Sequence, residues 1–178
     1  MLEETVKIPD KRIAVLVGIK GQDKRMIEKA AKAKLTIDSE TGSVTIALNE
    51  GDAVNLDKAV NLVKAIARGF SPEKALLLLN DEYYFDLIDL REEIGKSPKA
   101  LARVKSRVIG KQGKMREQIE AHTSCFVSVF GNTIALIGKI EEIETAKHAL
   151  EMIIGGSQLT SVLKFLNKGT SRTQEIDF

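Results

Sequence analysis

Apolar positions along this chain switch between a period of two and a period near 3.6, and the switches predict a series of short elements. Leu35 and Ile37, then Val44, Ile46 and Leu48, alternate with polar neighbours, and the Thr41-Gly42-Ser43 segment between them has the composition of a hairpin turn. Leu56, Ala59, Val60, Val63, Ile66 and Ala67 recur at helical spacing, which predicts one long helix after the hairpin. Ahead of the strand pair, the pattern gives a strand at 5–8, a helix near 10–17 and a second helix from 22 to about 33. Gly18-Ile19-Lys20-Gly21 separates those two helices.

The same order returns further along. A strand through 83–90 is followed by a helix that Ser97 caps and Pro98 opens, since proline's missing N–H has no helical partner in the first turn. Gly110-Lys111-Gln112-Gly113 comes next, then strands near 124–130 and 133–137 joined at Gly131-Asn132, then a helix burying Ile143, Ala146, Leu150 and Ile153. The two glycine segments lie 92 residues apart, from Gly18 to Gly110, and the register holds without a gap. Ile27 and Glu28 fall on Ile119 and Glu120, and Leu35-Thr36-Ile37 falls on Val127-Ser128-Val129. Two copies of one module are predicted, at 1–69 and 82–169, the second with a C-terminal helix. Residues 70–81, opened by Ser71-Pro72 and containing Leu76 to Leu79, are predicted to be a short helical connector packed between the modules, making one rigid body. The polar tail 170–178 is predicted to be flexible.

A net charge of +2 conceals an uneven spread. Residues 7–34 hold nine Lys or Arg against three acids and residues 94–116 hold eight against none, whereas residues 38–93 hold five against twelve. Each basic stretch surrounds a glycine loop, so the distribution bears on function more than the sum does. Cys125 stands alone, which rules out an internal disulfide, and with His122 and His148 it supplies too few ligands for structural zinc. No apolar run reaches about 18 residues and the N-terminus lacks a signal-peptide core, so a cytoplasmic protein without a membrane span is expected.

Two helices interrupted by Gly-x-x-Gly bring backbone amides and a helix N-terminus to one spot, and glycine lets a sugar-phosphate chain approach unobstructed by Cβ. Gly18, Ile19, Lys20 and Gly21, with Lys24 and Arg25 just beyond, form the first candidate site. Arg107, Ile109, Gly110, Lys111, Gln112, Gly113, Lys114 and Arg116 form the second. Cations clustered on a phosphate-sized loop are what backbone neutralisation requires. The second loop is expected to bind more strongly, because Asp23 and Glu28 dilute the first basic surface. Glu28 and Glu120 have no partner acid, metal cluster or nucleophile beside them and are expected to be solvated helix carboxylates. The residues imply no catalytic activity, no cofactor and no metal.

The order strand, helix, Gly-x-x-Gly, helix, strand, strand, helix resembles the eukaryotic-type (type I) KH domain over about 160 residues. The resemblance implies an α+β fold of two tandem type I KH domains, each a three-stranded sheet packed on three helices, holding single-stranded RNA about four nucleotides at a time. It also implies an aliphatic base-reading groove, here Val17, Ile27 and Ile37 in the first module and Ile109, Ile119, Val127 and Val129 in the second. Core packing accounts for all of these equally well, and is favoured for Ile27 and Ile119 on the inward helix face.

At finer grain, Phe70-Ser71-Pro72-Glu73-Lys74-Ala75, Arg107-Val108-Ile109-Gly110-Lys111-Gln112-Gly113-Lys114, Val129-Phe130-Gly131-Asn132-Thr133 and Ile153-Ile154-Gly155-Gly156-Ser157 resemble archaeal members of the Krr/partner-of-Nob family of small-subunit pre-ribosomal RNA processing factors. That resemblance implies single-stranded RNA near the 3′ region of small-subunit rRNA as ligand. The implied partners are a maturation endonuclease, an rRNA dimethyltransferase or the alpha subunit of a translation initiation factor. Two other readings stay open. The acidic middle, with Asp81, Glu82, Asp86, Asp89, Glu92 and Glu93, would suit a protein-binding scaffold. An RNA-decay complex subunit would normally bring an oligonucleotide-binding barrel, and the pattern holds no row of five strands.

Overall fold

A computed structural model describes residues 1–48 and 53–174. The chain divides into two units, Met1–Phe85 and Asp86–Phe178.

In the first unit, β1 (Leu2–Lys7) leads into α1 (Asp10–Val17), a tight turn at Ile19–Gly21, α2 (Gln22–Ala31), the hairpin of β2 (Ala33–Asp38) and β3 (Ser43–Leu48), and α3 (Ala53–Ala67). Lys32, at φ 52°, ends α2 and lets Ala33 start the next strand. β3 is central, with β1 and β2 antiparallel on either side, Val6 opposite Val44 and Leu35 opposite Ile46. The alternation decides which face is covered. Val44, Ile46 and Leu48 are buried along with Leu16, Ile27, Leu62 and Ile66, while the Thr5 and Thr45 hydroxyls meet at 3.0 Å on the exposed side.

Residues 70–81 belong to this unit. Ser71 caps α4 (Pro72–Ala75) by accepting the Lys74 N–H at 3.4 Å, a tight turn at Leu76–Leu79 follows, and Ala75 and Leu78 are buried where these turns pack on α3. The expected connector between modules is therefore corrected: residues 70–81 fold back onto α3 within the first unit, where Leu78 is buried and Leu76, Leu77 and Leu79 are half-buried. Arg12 ties α1 to the end of α3, its Nε donating to the Ile66 carbonyl and an Nη to the Phe70 carbonyl, both at 2.7 Å. Partial burial lowers the pKa of that guanidinium.

β4 (Tyr84–Asp89) begins two residues before the second unit and runs directly into the single turn α5 (Leu90–Ile94), which Asp89 caps by accepting the Arg91 N–H at 2.9 Å. Ser97 accepts the Ala100 N–H at 3.4 Å and opens α6 (Pro98–Ile109). A tight turn at Lys111–Gly113, α7 (Lys114–Thr123), β5 (Phe126–Phe130), β6 (Thr133–Gly138) and α8 (Ile140–Ile154) complete the series. The sheet order β4-β6-β5 matches β1-β3-β2, although β6 is buried at every position where β3 alternates. Leu101, Val104, Val108, Ile119, Leu136 and Leu150 form one core. A last helix, α9 (Leu159–Gln174), adds Val162 and Leu166 to that core at i and i+4, and its Phe165 ring lies 4.6 Å from that of His148. Residues 170–174, expected to begin a flexible tail, continue this helix, and residues 175–178 lie outside the described residues.

Candidate nucleic-acid interface

Both glycine loops adopt one conformation. Gly18 has φ 72° and ψ −179°, and Gly110 has φ 73° and ψ 178°, a backbone region essentially reserved for glycine. The third residues, Lys20 (φ 51°) and Gln112 (φ 55°), and the closing glycines, Gly21 (φ 74°) and Gly113 (φ 75°), are left-handed. Turns of this kind aim successive amides at one point, and α2 or α7 begins directly beyond, so each loop is shaped as an anion cradle. A Cβ on Gly110 would stand 2.7 Å from the Met115 amide nitrogen, whereas one on Gly113 would meet nothing within 4 Å. The first glycine serves close packing and the last faces open space.

The two glutamates correct the expectation of solvated carboxylates. Glu28 Oε1 accepts the Leu35 N–H at 2.9 Å and lies 3.2 Å from Lys24 Nζ. Glu120 Oε1 accepts the Val127 N–H at 2.8 Å and lies 3.3 Å from Arg116 Nη1. Each glutamate ties its helix to the following strand and shares the charge of one cation of its candidate site. Glu120→Ala is expected to cost about 1–2 kcal/mol, since it leaves the Val127 amide without its partner. A urea melt superposing on that of the wild type would contradict this.

Arg107 is corrected as well. One Nη donates to the Ile153 carbonyl at 2.8 Å and the other to the Ser157 carbonyl, so the guanidinium clamps the end of α8 and is withdrawn from the RNA-facing set. Arg12 does the same at the end of α3, again taking carbonyls four residues apart, from a different place in its own helix. Of the expected groove residues, Ile27, Ile119 and Val127 are at most 2% exposed and belong to the core, whereas Val17, Ile37, Ile109 and Val129 keep part of their surface open. Ile19, Lys20, Arg25, Lys111, Gln112 and Lys114 are exposed. Among the described residues Lys111 and Lys114 have no ion-pair partner.

Cys125 is fully buried, and desolvation pushes its thiol up to about 12, so it stays protonated and unreactive at neutral pH. His122 lies 3.2 Å from Gln118 Oε1. Among the described residues no three His, Cys, Asp or Glu side chains form a group that could hold a metal ion, and no helix is long and apolar enough to cross a membrane.

A family model for the eukaryotic type KH-domain (KH-domain type I) matches residues 84–171. A KH domain-containing protein of Methanocaldococcus jannaschii is 42% identical over 177 residues, 98% of this chain and 77% of the relative. The aDim2p crystal structure from Pyrococcus horikoshii, solved as an a/eIF2α–aDim2p–rRNA complex, is 46% identical with a TM-score of 0.89, covering 96% of this chain and 95% of that one. The chain belongs to the PNO1/Dim2 family of KH-domain proteins. The pre-rRNA-processing protein PNO1 of Chaetomium thermophilum is 32% identical over 124 residues, 67% of this chain and 47% of the fungal one. In this PNO1/Dim2-family chain the KH match lies in the second unit, which corrects the expectation of two tandem KH domains. The first unit has the same strand order, yet its loop carries Ile19 and Asp23 where the KH domain has Lys111 and Met115, and it closes with α4 and a tight turn in place of α9.

Proposed function

We propose that this chain binds single-stranded RNA at the Gly110–Gly113 loop, in maturation of the small ribosomal subunit near the 3′ region of its rRNA. The observation that carries this reading is the left-handed glycine cradle at the start of α7, with Lys111 and Lys114 exposed beside it and no acid from Ile94 to Arg116. The amides take one phosphate, the lysines neutralise its neighbours, and Ile109 and Val129 offer apolar contact to bases. The aDim2p relative stands in a complex with a/eIF2α and rRNA, and the fungal relative is a pre-rRNA-processing protein. Those relatives support rRNA as the ligand and the alpha subunit of the initiation factor as a protein partner, so that scaffolding and RNA binding coexist.

The role is binding without cleavage. Labelled RNA incubated with the protein and magnesium should be retained intact; cleaved product would overturn the reading. Lys111, Lys114 and Arg116 give three phosphate contacts, hence a slope of log affinity against log salt of about −2 on single strands. A slope near zero, or equal affinity for duplex RNA, would contradict the clamp.

A further inference from the structure

The two loops share backbone angles and the glutamate-to-strand bond, and they differ in the side chains lying against their glycines: Asp23 at Gly18 and Arg25 at Gly21 in the first, Met115 at Gly110 in the second. Met115, five residues after Gly110, is 5% exposed and seats its Cβ and backbone against that glycine. The equivalent place in the first loop is held by Asp23, whose Oδ2, Cγ and Cβ all fall within 2.8 Å of where a Gly18 Cβ would stand. The carboxylate therefore turns back over the first loop from the first turn of α2, where the helix dipole and the loop amides favour an anion. The other acid nearby, Glu28, is occupied by Lys24 and the Leu35 amide, and Lys20 and Arg25 are exposed. The first loop thus has the backbone and the cations of a phosphate site, with a carboxylate set against its first glycine.

We infer that Asp23 is a specificity-determining residue, a built-in anion that holds the first cradle against phosphate and so directs RNA to the second loop. The inference rests on the second loop's being an RNA clamp. A phosphate entering the first cradle would displace the carboxylate from its favourable place or lie beside a like charge; at Met115 neither penalty arises.

The test uses the full chain and a labelled single-stranded RNA dodecamer. Asp23→Asn removes the charge at nearly constant shape, and Asp23→Met installs the side chain of the second loop; the Asn variant keeps the test open should methionine disturb the turn. Each is made alone and with Lys111→Asp/Gln112→Asp. In the latter background, removing one charge about 4 Å from a phosphate should raise affinity about fivefold and bring photocrosslinks to residues 19–25. Alone, each should steepen the salt slope by about 0.7 per phosphate gained. Variants that keep the wild-type circular dichroism and show no gain overturn the inference and leave the second loop's role standing. A Lys111→Asp/Gln112→Asp chain that binds as tightly as wild type overturns the RNA-clamp reading itself, and this inference with it.

Discussion

Lys111→Asp combined with Gln112→Asp is expected to lower affinity for single-stranded RNA about 100-fold while leaving the melting curve unchanged. The pair changes the loop by three charge units, each worth about 1 kcal/mol against a phosphate at 4 Å in water, and about 1.4 kcal/mol is a factor of ten. Both side chains are exposed, so no packing is lost. Gln112 sits at φ 55°, a conformation aspartate adopts more readily than most residues, so the turn itself survives. Anisotropy with a labelled oligonucleotide reads the affinity and circular dichroism the fold. Equal affinity in a folded double variant would remove the loop from the interface.

Arg107→Ala is expected to behave in the opposite way, losing about 3 kcal/mol of stability with less than a twofold change in RNA affinity for the folded protein. Its guanidinium makes two hydrogen bonds to carbonyls at the end of α8. Bonds from a charged donor contribute about 1.5–3 kcal/mol each, and alanine leaves both acceptors to find water. Denaturant midpoints read the first effect and binding measured well below the midpoint reads the second. Normal stability with weakened RNA binding would return Arg107 to the interface and undo the correction.

What was legible in the sequence was local. The helix at 10–17, the opening of α6 at Ser97-Pro98, the hairpins and both glycine loops follow from hydrophobic period, capping residues and turn composition within a dozen positions. The turn α5 was not visible, because five residues hold too few positions to show a period, and the signal for it was Asp89 as a cap. The polar residues at the start of the tail carry no apolar stripe, yet they extend a helix already anchored by Val162 and Leu166. Leu76 to Leu79 were legible as apolar and illegible as to partner, since nothing within the segment says that it folds back onto α3.

By itself the sequence determined the order of elements, the two Gly-x-x-Gly turns and the basic stretches around them, since period, backbone freedom and charge are properties of neighbouring residues. Only the tertiary structure decided which charges are available to a ligand. Arg107 finds its acceptors 46 and 50 residues away, and Glu120 takes the amide of a strand residue seven positions on. A charge's position along the chain does not say what folding sets beside it, and a hydrogen bond or ion pair needs its partner within about 3–4 Å to be worth much. The fourteen residues from Arg103 to Arg116 look alike in one dimension; in three, some of their cations hold a helix end or pair with a glutamate and others face outward.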